Sequence, residues 1–225
     1  HYYILVLLPL SLASGLGVEA LHARFAGVRA ASPRRAAWVA LAALALAAPL
    51  RAYLPYLKAA NADATSRLAY PRSFFPEARQ AGAYIGEQTR PDDTVLVVGN
   101  EPEICFYARR RSATGHIGCF YLFRGYRDEA TMQRSAWQEI VRNDPAFIVR
   151  FYTPPSLQVA PGASTWLLDE VARLIARRYA LDGLGVVASG DPTARRCVFG
   201  AGAGELAVGP EEQVFMRLFR RLDHR

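Results

Sequence analysis

Three consecutive arginines, Arg109, Arg110 and Arg111, are the residues whose type and spacing most directly suggest binding chemistry. A guanidinium group presents a planar fork of N–H donors that matches the oxygens of a phosphate. Adjacent arginines also occur at the solvated carboxyl end of a helix, where positive charge interacts favourably with the helix dipole. The run therefore predicts either substrate-phosphate binding or a stabilised helix terminus.

A second candidate site lies at the end of the apolar stretch TVLVVG, where Gly99 and Asn100 follow a predicted buried strand. Sheets of α/β proteins often bind ligands at the carboxyl ends of their strands. The stretch is not a G-x-G-x-x-G motif, and no P-loop pattern occurs in the chain. A plain turn, with Asn100 as the cap of the next helix, is the alternative.

The stretch CFYLFRGYR, residues 119–127, alternates aromatic residues with arginine and suits stacking on a sugar, contact with a membrane interface, or simple core packing. His116 has no Ser, Cys or acidic partner at the spacing of a catalytic triad. The three cysteines and four histidines do not have zinc-site spacing. Cys105 and Cys119 are candidates for a disulfide outside the cytoplasm, and burial of all three thiols is the alternative.

Helical and strand patterns alternate along residues 59–225 and must position these side chains. Helices are predicted over 76–90, 101–111, 128–145 and 164–183, with buried strands at 94–99 and 146–152. Further strands are predicted at 185–190 and 195–200, and 214–222 is predicted to be an edge strand. This alternation indicates an α/β domain with a small, largely parallel sheet.

Residues 1–58 have a different composition. Two apolar runs, 2–21 and 36–57, approach the roughly 20 residues that cross a bilayer, and aromatic residues flank them. The short loop between them is basic, and residues 1–58 carry about +5 of the formal net charge of +7. The sequence therefore predicts two transmembrane helices as a hairpin, followed by an extracytoplasmic domain over 59–225. A helical hairpin buried in a soluble core is the alternative.

Several segments together resemble the C-terminal part of bacterial GT-C superfamily glycosyltransferases, the group of protein O-mannosyltransferases and aminoarabinose transferases. The segments are HYYILVLLPLSLASGLGV, a basic loop, PDDTVLVVGNEPEICFYARRRSATG and VRNDPAFIVRF. The resemblance implies transfer of a sugar from a polyprenyl-phosphate donor to an acceptor outside the cytoplasm. It also implies a multi-pass protein of the cytoplasmic membrane, of which this chain would be a truncated piece.

The resemblance implies that the catalytic acid lies in an external loop upstream of this sequence, so no catalytic residue is assigned here. It implies no cofactor for these residues and metal assistance in a full-length member. His1, Tyr2 and Tyr3 fall where the lipid-phosphate donor would sit, so they are predicted to bind substrate; interfacial anchoring is the alternative. Membrane lipid, the sugar donor and the protein's other helices are the implied partners, and nucleic acid is not.

Two other functions stay open at this point. One is a non-enzymatic, membrane-anchored domain for binding or assembly, which would hold a small molecule near Gly99. The other is a soluble nucleotide-binding enzyme, against which the two long apolar runs argue.

Overall fold

The computed structural model describes residues 12, 14–20, 23–24, 33–154 and 156–224 of the 225-residue chain. The chain divides into two compact units, His1–Lys58 and Ala59–Arg225.

In the first unit, residues 12, 14–20 and 23–24 are helical, and a 25-residue helix, α1, spans Pro33–Leu57. Several of its described apolar side chains are exposed, including Leu44 and Leu57 at 67% and 71%. Within the described residues, no helix combines the length and the apolar character that crossing a membrane needs.

The predicted transmembrane hairpin, with spans at 2–21 and 36–57, is therefore wrong. Alanine contributes nine of the 25 residues of α1. Alanine has the highest helix propensity, but its single methyl group carries little apolar surface. An alanine-rich run therefore predicts a helix correctly and overstates how apolar that helix is. Most of the first predicted span, residues 2–11, 13 and 21, lies outside the described residues.

The second unit contains five α-helices and a six-stranded sheet within its described residues. The helices are α2 (Ala62–Ala69), α3 (Phe75–Gln88), α4 (Glu103–Ala108), α5 (Glu129–Asn143) and α6 (Trp166–Arg178). Short 3₁₀ helices span Cys119–Phe123 and Gly200–Ala203. The strands are β1 (Thr94–Val98), β2 (Arg111–Ser112), β3 (Phe147–Phe151), β4 (Tyr179–Ala188), β5 (Asp191–Phe199) and β6 (Glu212–Arg221).

The sheet has the order β2-β1-β3-β6-β4-β5 and is mixed, which corrects the prediction of a largely parallel sheet. Among the described strands, only the pairings β2–β1 and β1–β3 are parallel. The pairings β3–β6, β6–β4 and β4–β5 are antiparallel. β4 and β5 form a hairpin, whose tight turn at 189–190 leaves no room for a crossover helix. β6 lies between β3 and β4, so the prediction of an edge strand at 214–222 is also wrong.

Each face of the sheet carries its own apolar core. On one face, α3 and α4 pack over side chains that include Val95, Val97, Phe151 and Phe215. On the other, α5, α6 and the first 3₁₀ helix pack over Leu96, Val98 and Ile148. The largely apolar strands β1 and β3 were predicted from this pattern, since strands that are covered on both faces need apolar side chains in both directions.

Candidate functional site

The carboxyl ends of β1 and β3 meet at one edge of the sheet. The last residue of β1, Val98, is in register with Arg150 of β3. The chain then continues as Gly99-Asn100-Glu101 after β1 and as Tyr152-Thr153 after β3. The two connections therefore lie side by side where parallel strands of α/β proteins commonly place ligands.

A buried carboxylate occupies this edge. Glu101 is 6% exposed, and its Oε2 accepts a 2.8 Å hydrogen bond from the main-chain N–H of Asn100. The pKa of Glu101 is raised to about 7, mainly by burial, and the negative charge of Glu103 contributes to the rise. The hydrogen bond from the Asn100 N–H and the nearby hydroxyl of Ser156 act in the opposite direction. Glu101 is therefore able to give or take a proton near neutral pH.

Gly99 is required for this arrangement because the carboxylate lies against its backbone. A Cβ at Gly99 would lie 2.5 Å from Oε2 of Glu101 and 2.7 Å from the Phe151 ring. Asn100 does not cap the following helix, since α4 begins at Glu103 after Pro102 and has no side-chain cap. The edge is therefore built around Glu101, which the sequence pattern did not single out.

The predicted arginine run divides into side chains with different roles. Arg110 donates to the main-chain oxygens of Gly86 and Thr89, at 2.9 and 2.6 Å, and to Oγ1 of Thr89 at 2.9 Å. It also donates to the carbonyls of Ala108 and Arg109. Arg110 thus satisfies carbonyls at the end of α3, which fits the helix-terminus interpretation.

Arg109 and Arg111 remain exposed, and neither has an ion pair or side-chain hydrogen bond within the described part of the chain. They line an open depression of about 490 Å³ together with Arg110, Cys105 and Phe106. Phe106 is 77% exposed there. An exposed aromatic ring beside two unpaired guanidinium groups can bind an anion that carries apolar substituents.

These two candidate surfaces lie at opposite ends of β1. Arg111 is paired with Thr94, the first residue of β1, whereas Glu101 follows the last residue. Five residues of extended strand separate the two ends by roughly 15 Å. The arginine depression is therefore a separate surface from the carboxyl edge.

The remaining predicted residues are placed as follows. His1, Tyr2 and Tyr3 lie outside the described residues. His116 is half-buried, and its main-chain N–H donates to Oγ1 of Thr114. Where the chain is described, no cluster of three or more His, Cys, Asp or Glu side chains could hold a metal ion.

The aromatic stretch 119–127 contributes mainly to packing. Its 3₁₀ helix buries Cys119, Leu122 and Phe123. The Cζ of Arg124 lies 3.8 Å from the centroid of Phe120. Core packing, the alternative interpretation of this stretch, therefore accounts for these side chains.

All three cysteines are free. Cys105 packs with the α3–α4 core and Cys119 lies in the core on the opposite face of the sheet, so β1 separates them. Burial raises the pKa of Cys105 and Cys119 to about 11 and that of Cys197 to about 12. The alternative of small buried thiols thus describes these residues better than a Cys105–Cys119 disulfide.

Comparisons of this chain with protein-family models, with curated proteins and with solved structures found no match.

Proposed function

We propose that this chain is part of a glycosyltransferase that uses a polyprenyl-phosphate sugar donor, and that residues 59–225 recognise the donor rather than carry out the transfer. In this proposal the chain works at the cytoplasmic membrane, with the α/β unit outside the cytoplasm. The observation that carries it is the pair of exposed guanidinium groups of Arg109 and Arg111 beside Phe106, which have no partner among the described residues.

The chemistry of this depression matches a lipid phosphate in two respects. Arg109 and Arg111 offer charged N–H donors for the phosphate oxygens. Phe106 offers exposed apolar surface for the hydrocarbon next to the phosphate.

The test measures binding of a polyprenyl phosphate to the chain in detergent micelles, with the uncharged polyprenol as the matched ligand. We expect the phosphate to bind more tightly than the alcohol. In the double variant Arg109→Ala/Arg111→Ala, the ratio of the phosphate affinity to the alcohol affinity should fall about tenfold or more, since two charge-assisted contacts are removed. The double variant Arg134→Ala/Arg177→Ala removes the same charge from exposed helix positions and should leave this ratio unchanged.

Equal binding of phosphate and alcohol, or equal losses in both double variants, would refute the proposal. The first result would show that the phosphate is not recognised. The second would show that only net charge is sensed.

A second candidate function is favoured by the buried carboxyl edge: a binding domain for a small hydroxyl-bearing molecule near Gly99. Its support is that Glu101 and Ser156 are both buried, at 6% and 3% exposed, in the position where α/β sheets commonly bind ligands. Nuclear magnetic resonance titration with monosaccharides such as mannose tests it. Shifts at Gly99, Asn100 and Ser156 that disappear in Glu101→Gln would support this function, and unchanged spectra would exclude it for those sugars.

A further inference from the structure

Two arginines lie directly opposite each other on the neighbouring central strands β3 and β6. Arg150 of β3 is the direct antiparallel partner of Arg217 of β6. Like charges in directly opposite positions destabilise a strand pair. Neither guanidinium group has an ion pair or hydrogen bond within the described residues, so no carboxylate seen in the structure neutralises this pair.

An aromatic ring holds the two cations together. The Cζ atoms of Arg150 and Arg217 each lie 5.2 Å from the ring centroid of Tyr152. Cation–π attraction of this kind offsets part of the repulsion, but it adds no negative charge. Tyr152 is 39% exposed and Arg217 is exposed, so the group can be reached from solvent.

Two buried polar atoms in the same segment also lack a partner. Nε of Arg150 and Oγ1 of Thr153 are both shielded from solvent without a hydrogen bond among the described residues. A buried donor that is left unpaired carries a free-energy cost. A ligand that accepts hydrogen bonds would remove this cost as well as the charge repulsion.

We propose that Arg150, Tyr152 and Arg217 form a binding site for the phosphate group of a ligand. The two Cζ atoms are at most 10.4 Å apart, because each lies 5.2 Å from one centroid. One phosphate that accepts hydrogen bonds of ordinary length from both guanidinium groups bridges Cζ atoms roughly 8 Å apart. Its two negative charges match the two cations.

The position of this group supports a ligand site. Arg150 is beside Val98, the last residue of β1, so the cluster lies at the carboxyl edge of the parallel strands. The arginine depression at Arg109 and Arg111 lies at the opposite end of β1. The proposed phosphate site is therefore independent of the lipid-phosphate surface of the proposed function, and separate variants test the two.

The experiment titrates the full chain with inorganic phosphate at constant ionic strength, by calorimetry and by thermal unfolding. We expect phosphate to bind and to raise Tm relative to equal ionic strength of chloride. Arg217→Glu should weaken phosphate binding about tenfold or more, since it replaces a donor by a repelling carboxylate. Without phosphate its Tm should equal or exceed that of the parent chain, because it creates a cross-strand ion pair with Arg150.

Arg134→Glu makes the same charge change at an exposed position on α5 and should leave phosphate affinity within about twofold. Arg217→Glu is also tested in the Arg109→Ala/Arg111→Ala background, where the proposed lipid-phosphate surface is absent, so that the loss of phosphate binding is measured at this site alone. Titration with dodecyl phosphate micelles in parallel distinguishes a lipid headgroup from a free phosphate as the source of the ligand.

The proposal is overturned if the parent chain binds neither inorganic phosphate nor the micelles. It is also overturned if Arg217→Glu binds phosphate as tightly as the parent chain. A lower Tm for Arg217→Glu in the absence of phosphate would show instead that the arginine pair only supports the packing of the sheet.

Discussion

Glu77 and Arg195 form a buried ion pair that joins α3 to β5, with 3.3 Å between Oε2 and Nη1 and both side chains 2% exposed. Arg195 also donates to the carbonyls of Pro71 and Ser73, and its Cζ lies 4.5 Å from the ring centroid of Phe74. The side chain thus anchors the segment that precedes α3 onto the far edge of the sheet.

Arg195→Ala should destabilise the fold by about 2–3 kcal/mol, because it removes one of the two cationic partners that the buried Glu77 carboxylate has among the described residues and leaves only Arg67, at 2.5 Å. The neighbouring Arg196 is a matched control. It pairs with Glu212 at 2.8 Å, but its side chain is 48% exposed, so Arg196→Ala should cost less than about 1 kcal/mol. Urea unfolding followed by tryptophan fluorescence measures both values. Similar losses in the two variants would contradict the buried-pair interpretation.

Glu101 should make the fold less stable as pH rises through the range from about 4.5 to about 7. Its pKa in the fold is about 7, against an ordinary value of 4.5, so the folded state binds the extra proton in this range. The free energy of unfolding should therefore fall by up to about 3 kcal/mol over this window and then level off. Glu101→Gln should remove this loss, as measured by urea unfolding at pH 5, 6, 7 and 8.

Glu139 provides the control for this pH dependence. Hydrogen bonds from the N–H of Gly115 and the hydroxyl of Thr114 lower its pKa, so its contribution to stability is lost only as pH falls below the ordinary range of a carboxyl group. Glu139→Gln should therefore leave the slope between pH 5 and 8 unchanged. A Glu101→Gln variant with the slope of the parent chain would show that the pKa of Glu101 is not raised.

Substitutions at Arg109 and Arg110 should change stability in opposite directions. Arg109 has φ 54° and ψ 42°, the left-handed conformation that glycine adopts without strain. Arg109→Gly should therefore stabilise the fold by about 0.5–1 kcal/mol. Arg110→Ala should destabilise it by about 2–3 kcal/mol, since several charged hydrogen bonds are lost. Thermal unfolding distinguishes them, and a loss of Tm in Arg109→Gly would be inconsistent with this account.

The three thiols should react slowly in the folded protein. Burial raises the pKa of Cys105 to about 11, two units above its ordinary value of 9.0, which lowers its thiolate population about 100-fold. Labelling with iodoacetamide at pH 7.5, followed by intact mass, should show little modification in native buffer and three additions in urea. Rapid labelling of Cys105 in native buffer would contradict its burial. One addition in urea instead of three would reveal a disulfide between the other two cysteines.

Local sequence patterns predict the elements with uniform apolar or amphipathic character. β1 is apolar after Thr94 and β3 is apolar except at Arg150, and α5 lies within its predicted range. α6 was predicted to continue to Gly183, but it ends at Arg178 and β4 follows at Tyr179 without a loop. Tyr179 donates a 2.6 Å hydrogen bond to the carbonyl of Pro145 and pairs with β6. Such long-range contacts outweigh helix propensity and leave no local signal.

The candidate sites also divide into one that a local sequence pattern predicts and one that only long-range strand pairing forms. The arginine run was visible because three cations are adjacent in sequence. That Arg110 alone hydrogen-bonds the end of α3, while Arg109 and Arg111 stay exposed, depends on the packing of α3 beside it. The group of Arg150, Tyr152 and Arg217 forms only when β6 pairs with β3, 67 positions apart at Arg150 and Arg217. No local pattern marks that register, because Arg217 alternates with apolar residues as any half-exposed strand residue does.

The position of β6 has a consequence for how the chain reaches this fold during synthesis. β6 is the last strand in the sequence and yet joins β3 to β4, so the two halves of the sheet have no direct strand pairing. Until residues 212–221 leave the ribosome, β3 and β4 each present an unpaired edge. Nascent chains that stall before this point carry two exposed strand edges, which makes them candidates for chaperone binding and for aggregation.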